Sequence, residues 1–214
     1  MKILFFGDSI TEMGRNQETD YQYNSYGHGY VYAITSELLS QDVNKYKIVN
    51  RGIAGHRVVD LYARIKADVW NEEPDVLTIL VGINDIWHEI LSKNGVELDR
   101  FERVYRMMIE DTLQRLPNVK IVLLEPFVLL GNVTEMHMEQ YFCQVLDYAN
   151  VVKKIAEEYN LYFVPLQKKL NEYAEKNGAE NYLFDGVHPA IAGAKLIADE
   201  WLKWFKENMQ RSLQ

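Results

Sequence analysis

The residues best able to do chemistry together lie far apart in the chain: a serine in Gly7-Asp8-Ser9-Ile10-Thr11, and an aspartate and a histidine three positions apart in Asp185-Gly186-Val187-His188-Pro189. A serine hydroxyl attacks a carbonyl only when a base takes its proton, and an imidazole serves best when a carboxylate fixes its tautomer. Ser9, His188 and Asp185 would supply these parts in the chain order Ser, Asp, His. Pro189 disfavours helical backbone at His188 and Gly186 permits a sharp turn, so acid and base share one loop. Acyl transfer also needs donors aimed at the developing oxyanion. Gly52, in Asn50-Arg51-Gly52-Ile53-Ala54-Gly55, offers a backbone N–H with no side chain in the way; Asn84, in Gly82-Ile83-Asn84-Asp85, offers an amide; the Ser9 N–H is the third candidate.

Each of these residues also has a plain structural reading. Asp8 and Ser9 could cap a helix, Asp185 could close an Asx turn, and Gly52 and Asn84 could be ordinary turn residues. Their occurrence together favours chemistry. Asp8 and Trp87 are expected to border the substrate, Asp8 chiefly by ordering its loop and Trp87 alternatively by packing in the core. His28, His56, His88 and His137 form no His-Glu-x-x-His pattern, since Ile90, Leu91 and Ser92 follow His88-Glu89; they are read as rim or surface residues, with no metal expected.

Loops at strand ends must hold these side chains, and the pattern of short apolar runs alternating with helical periods is that of βα units around a parallel sheet. Strands are predicted at about Lys2–Phe6, Tyr46–Val49, Asp75–Val81, Val119–Leu124 and Leu161–Val164. Val76-Leu77-Thr78-Ile79-Leu80-Val81 is almost continuously apolar, as a strand buried on both faces should be. Helix faces are predicted from Val58, Leu61, Ile65 and Val69, from Val145, Val152, Ile155 and Tyr159, and from Ile191, Ala194, Ile197, Trp201 and Phe205. The long irregular segment Glu12–Gly29 runs into a tyrosine-rich stretch, Tyr21 to Tyr32, suited to sugar stacking or, by preference, to subunit contact. Ligands of such sheets bind beyond the carboxyl ends of the strands, where every candidate above lies.

The composition narrows the partners. Of 214 residues, 23 are Lys or Arg and 31 Asp or Glu, a net charge of −8, which argues against nucleic acid and anionic membranes. No repeat or linker divides the chain, so residues 1–214 are expected to form a single domain. The single cysteine, Cys143, cannot form an intramolecular disulfide and is read as a packing residue. No secretory signal or membrane-length apolar run is visible, so a cytoplasmic location is expected.

Taken with their order, these motifs make the chain resemble the SGNH (GDSL-type) esterase and lipase superfamily. Ser9, Gly52, Asn84 and His188 match its four sequence blocks, with Asp185 three residues before the histidine, over residues 5 to 189. The resemblance implies a flavodoxin-like three-layer α/β/α sandwich with a five-stranded parallel sheet, and ester hydrolysis without metal or cofactor. Gly-Ile-Asn-Asp-Ile-Trp at 82–87 and Glu125-Pro126-Phe127 are further similar to intracellular carbohydrate esterases that deacetylate xylo-oligosaccharides. Those enzymes often carry tryptophan before the catalytic aspartate, where this chain has Phe184, and the resemblance implies that Phe184 borders the substrate. The expected substrate is therefore a small acetyl ester, an acetylated sugar foremost, and the expected assembly a homo-oligomer. Alternatives are a lysophospholipase, a thioesterase or a short-chain aryl esterase with the same triad. A non-enzymatic alternative is a flavodoxin-like module cradling phosphate in the Gly7–Thr11 loop, against which stand the missing glycine-rich fingerprint and the acidic balance.

Overall fold

Phe5 and Phe6 are adjacent and both fully buried, because successive side chains of a strand point to opposite faces and here both faces are covered. Phe5 packs against Tyr30 and Trp201, with ring centroids 5.7 and 5.4 Å away. Phe6 lies under the Arg64 guanidinium, 4.5 Å from its ring centre. Burying a phenylalanine of this kind contributes about 1.5–3 kcal/mol. A computed structural model describes residues 1–210, the side chains of residues 141–143 and 210 excepted. The packing role expected of Cys143 lies outside the described residues.

The first strand is β1 (Lys2–Gly7), followed by the one-turn helix α1 (Ser9–Glu12), α2 (Tyr30–Gln41), β2 (Lys47–Gly52), α3 (Val58–Ile65), β3 (Val76–Leu80) and α4 (Ile83–Ser92). Then come α5 (Leu98–Arg115), β4 (Lys120–Leu124), α6 (Met138–Glu158), β5 (Tyr162–Val164), α7 (Gln167–Asn177) and α8 (Ile191–Phe205). Among the described residues the five strands form one sheet in the order β2-β1-β3-β4-β5, with every neighbouring pair parallel. This is the flavodoxin-like order, whose reversal of direction falls between β1 and β3. Helices α2 and α8 pair on one face; α3, α5 and α6 lie side by side on the other. Trp201 of α8 crosses to the sheet and donates from Nε1 to Thr78 Oγ1 at 2.9 Å. That bond lets a buried indole keep its polar atom satisfied.

Two sequence expectations are corrected. Strand β2 runs to Gly52, past the expected end at Val49, because Asn50, Arg51 and Gly52 stay in register with Phe5, Phe6 and Gly7. Ile191 shares the helical period of the buried α8 face, yet it is 92% exposed. Ala194, Ile197, Trp201 and Phe205 are buried as expected, but the first turn of α8 projects past the rim of the core. Val58, Leu61, Ile65 and Val69 are all buried, the last in a wider π-type turn, Lys66–Trp70. Val145, Val152 and Ile155 are buried too, with Tyr159 only half-covered at the end of α6. The tyrosine-rich stretch divides: Tyr26 and Tyr30 are core residues, while Tyr21, Tyr23 and Tyr32 are exposed. Among the described residues no helix is long and apolar enough to cross a membrane.

Candidate active site

Strand pairing brings the candidates together before any side chain acts. Gly7 at the end of β1 is in register with Gly52 of β2 and Leu80 of β3, so the segments carrying Ser9, Gly52 and Asn84 leave the sheet side by side. The Asp185–His188 loop reaches the same edge and is held there by α8, which follows it directly.

Ser9 opens α1, and its Oγ lies 2.9 Å from His188 Nε2. On the far side of the ring, Nδ1 lies 2.7 Å from Asp185 Oδ2. With Nδ1–H donating to the carboxylate, Nε2 is left to accept from the serine hydroxyl. The other carboxylate oxygen, Oδ1, accepts from the Val187 and His188 backbone N–H groups at 2.9 and 2.7 Å. Asp185 thus closes an Asx turn and orients the imidazole at once. The hydrogen bond to Asp185, outweighing burial, raises the His188 pKa above the ordinary imidazole value. Burial works to raise Asp185, but the hydrogen bonds it accepts from the His188 ring and from the two N–H groups hold it below the usual carboxylate range.

The turn is buttressed by the loop after β4, a support with no signal in the local sequence. Leu129 N–H donates to Gly186 O and Val133 N–H to Asp185 O, at 2.9 and 3.2 Å. Gly186 sits at φ +98°, and a Cβ on it would lie 2.5 Å from Thr134 Oγ1 and 2.7 Å from Leu129 O. Thr134, third residue of an Asn-Val-Thr sequon, is a buried bolt in that loop whose hydroxyl donates to Leu129 O.

Aromatic rings flank the histidine. Phe184 stacks on it at 5.8 Å and 19°, and Trp87 stands at 6.2 Å and 49°. Phe184 is 55% exposed, so its position suits contact with a substrate; Trp87 is half-buried and packs against the core as well.

Asp8 departs from its expected place beside the substrate. It is fully buried, and its Oδ1 accepts from the Ile10 N–H at 2.9 Å, capping α1. Burial pushes its carboxyl up to about 7, against the lowering effects of the Ile10 hydrogen bond and nearby His188. It therefore orders the Ser9 loop from beneath and presents no surface to a ligand.

Gly52 also departs from the expected arrangement. Its N–H donates to Asn50 Oδ1 at 2.9 Å, so it is not a free oxyanion donor here. What the position requires is the absence of a side chain: a Cβ would lie 2.2 Å from Glu12 N and 2.6 Å from Glu12 Cα. Both are backbone atoms of α1 and cannot swing aside. Gly52→Ala is expected to lose about 1–3 kcal/mol through overpacking, lowering Tm by about 2–12 °C. An unchanged melting curve would show that α1 yields without cost.

Asn84 is buried in the first turn of α4, and its Nδ2 donates one hydrogen to His56 O at 3.1 Å, leaving the second for another acceptor. Beside it, Asp85 is buried and accepts from the Val58 N–H with both oxygens, at 3.0 and 3.2 Å, so it caps α3. Burial raises its pKa well above the carboxylate range. Neither this role nor that of Arg15, whose Nε donates to Gly52 O at 2.9 Å, was apparent in the sequence. Both contacts cross between segments that no local pattern relates.

Comparison with known proteins gives a consistent set of relatives. A family model described as GDSL-like lipase/acylhydrolase matches residues 5–196. An acetylxylan esterase of Geobacillus stearothermophilus is 36% identical over 212 residues, covering 94% of this chain and 92% of that protein. The solved structure of the acetylxylan esterase from that organism has a TM-score of 0.83 at 34% identity, covering 94% of this chain and 92% of that one. A solved protein described as a GDSL-like lipase from Parabacteroides merdae has a TM-score of 0.90 at 34% identity, covering 94% of both chains. Solved forms of the Geobacillus esterase include catalytic mutants in which a serine, an aspartate and a histidine are each changed to alanine, the last two lying three positions apart.

Proposed function

The chain belongs to the GDSL-like lipase/acylhydrolase family and is a carboxylic ester hydrolase, and from that premise we propose that it removes acetyl groups from short acetylated sugars, xylo-oligosaccharides foremost, through an acetyl-enzyme on Ser9. The observation that carries this reading is the hydrogen-bonded series from Ser9 Oγ through His188 to Asp185, at 2.9 and 2.7 Å. As Ser9 Oγ attacks the acetyl carbonyl, its proton passes to His188 Nε2, and Asp185 stabilises the imidazolium that forms. The oxyanion accepts from the Ser9 N–H and from the free hydrogen of Asn84 Nδ2. The sugar alkoxide leaves with the proton from Nε2, and His188 then takes a proton from water as that water attacks the acetyl-enzyme. Acetate departs, and the proton returns to Ser9.

The relatives support acetylated xylan fragments as substrate, and the exposed ring of Phe184 beside His188 suits stacking on a sugar face. The three residue types changed in the relative's catalytic mutants are those gathered here. Exposed Tyr23, Tyr32 and Phe184 also support a homo-oligomer, which light scattering at the mass of one chain would refute.

The deciding assay follows acetate release from acetylated xylo-oligosaccharides, with p-nitrophenyl acetate and butyrate in parallel and Ser9→Ala as the blank. Fast release that depends on Ser9 is expected from the sugar. Preference for butyrate over acetate would move the substrate to longer acyl esters, and hydrolysis of aryl esters alone would remove the sugar. Asn84→Ala is expected to cost about 10²–10³ in kcat with KM little changed; a loss confined to KM would take Asn84 out of the oxyanion site.

A further inference from the structure

Arg64, an α3 residue with no place in the reaction described above, spends its guanidinium on three acceptors at the site, one at the end of β1 and two in the stretch from β2 to α3. Nη2 donates to Gly7 O at 2.9 Å, the last carbonyl of β1 and two residues before the nucleophile. Nη1 donates to Arg51 O at 2.8 Å, in the peptide that leads into Gly52. Nε donates to His56 Nδ1 at 3.0 Å, and His56 O is the acceptor that holds the Asn84 amide. An ion pair from Nη1 to Asp68 at 2.6 Å and the stack on Phe6 fix the group in place. A planar fork of five donors can reach three directions at once; an ammonium on a flexible stem cannot hold that geometry.

We propose that Arg64 is a positioning residue for the hydrolysis: by tying Gly7, Arg51 and His56 to one rigid group, it sets the separation between the Ser9 N–H and the Asn84 amide that receive the oxyanion. This rests on the esterase reading, since without an oxyanion there is nothing for the separation to serve. Donors to the transition state must stand within a few tenths of an ångström of where charge develops. The Ser9 and Asn84 segments lie past the last paired residues, Gly7, Gly52 and Leu80, so strand pairing alone does not set their separation. The bond from Arg64 Nε also requires an unprotonated His56 Nδ1, which keeps that ring neutral with its proton on Nε2; burial, together with the Arg64 charge, lowers the His56 pKa in the same sense.

The test compares Arg64→Lys and Arg64→Met with Asp68→Asn, which breaks the ion pair but leaves the three loop contacts. The Lys and Met variants are expected to lose about 10–100-fold in kcat with KM within about twofold. Affinity for a trifluoromethyl ketone, which forms a tetrahedral adduct, should fall by the same factor as kcat/KM. Asp68→Asn should keep nearly full kcat. Ring ¹⁵N shifts should show neutral His56 held with its proton on Nε2 in the wild-type protein, a mixture of tautomers in both Arg64 variants, and protonation at higher pH than in wild type in Arg64→Met, where the neighbouring charge is gone. Arg64→Lys at wild-type kcat with only a lowered Tm would overturn the proposal, as would equal losses in Arg64→Lys and Asp68→Asn, or a His56 ring whose state ignores Arg64. No hydrolysis by the wild-type protein would instead sink the esterase reading, and this inference with it.

Discussion

Ser9→Ala is expected to lower kcat by on the order of 10⁶-fold while leaving Tm nearly unchanged. The Ser9 side chain has one hydrogen-bonding partner in the described structure, His188 Nε2. Removing its oxygen therefore removes the nucleophile without uncovering a buried donor or acceptor. The helix it opens is capped by Asp8, not by Ser9, so the local backbone has no reason to move. Residual hydrolysis would reflect whatever the remaining oxyanion donors and the general base do with water. The measurement is single-turnover hydrolysis of p-nitrophenyl acetate together with a thermal melt. A loss below about tenfold with an intact melt would show that another group attacks the ester.

Asp185→Asn should cost about 10⁴-fold in kcat, and it should do so by reversing the histidine. Asparagine can keep its Oδ1 where the Val187 and His188 N–H groups donate, so the turn survives. That orientation puts an NH2 group where Oδ2 now accepts from Nδ1. Two donors cannot face each other; the ring moves its proton to Nε2, and Ser9 Oγ then meets a donor that cannot take its proton.

The pH profile supplies an independent sign. Because the carboxylate raises the His188 pKa, the acid limb of kcat/KM in the wild-type protein should lie above about 6.5, the ordinary imidazole value. In Asp185→Asn the limb should shift to lower pH. The stability linkage has two sides. The raised His188 contributes stability that is fully present below its unfolded pKa and is lost as pH rises through its folded pKa. The depressed Asp185 contributes stability present above its unfolded pKa and lost as pH falls through the folded one. Between the unfolded values of about 4 and 6.5 both contributions hold in full, so unfolding at pH 5 should show a larger difference between wild type and Asp185→Asn than unfolding at pH 9. An acid limb that stays put in the variant would mean that something other than Asp185 tunes the imidazole.

Much of the sheet was legible because apolar runs in a doubly covered parallel sheet have few other readings. The strand at Val76–Leu80 could hardly be anything else. The end of β2 was not legible, since Asn50-Arg51-Gly52 has poor strand propensity and is held extended by pairing with β1. Helical period located α8 but overran the core at Ile191, because periodicity records which residues share a face, not where the neighbouring layer stops. In the site, the gathering of Ser9, Asp185 and His188 was foreseeable from residue types at strand ends. Asp8 orders its loop as its position suggests, but from beneath, as a buried cap away from any ligand, whereas Gly52 has its N–H taken by Asn50. The supports contributed by Arg64, Asp85 and the Leu129–Thr134 loop follow only once tertiary contacts are known.

The Ser9–His188 hydrogen bond joins residues 179 positions apart, and this has a consequence for how the protein comes into being. Ser9 leaves the ribosome well before the loop that carries His188, which sits just before α8. A nascent chain therefore carries the Ser9 hydroxyl through the synthesis of all the intervening residues with no imidazole beside it. Reactivity at Ser9 is expected only once α8 has emerged and Trp201 has seated against β3. An activity-based fluorophosphonate probe would label finished molecules and pass over truncated ones, making the hydroxyl of Ser9 a reporter of complete folding.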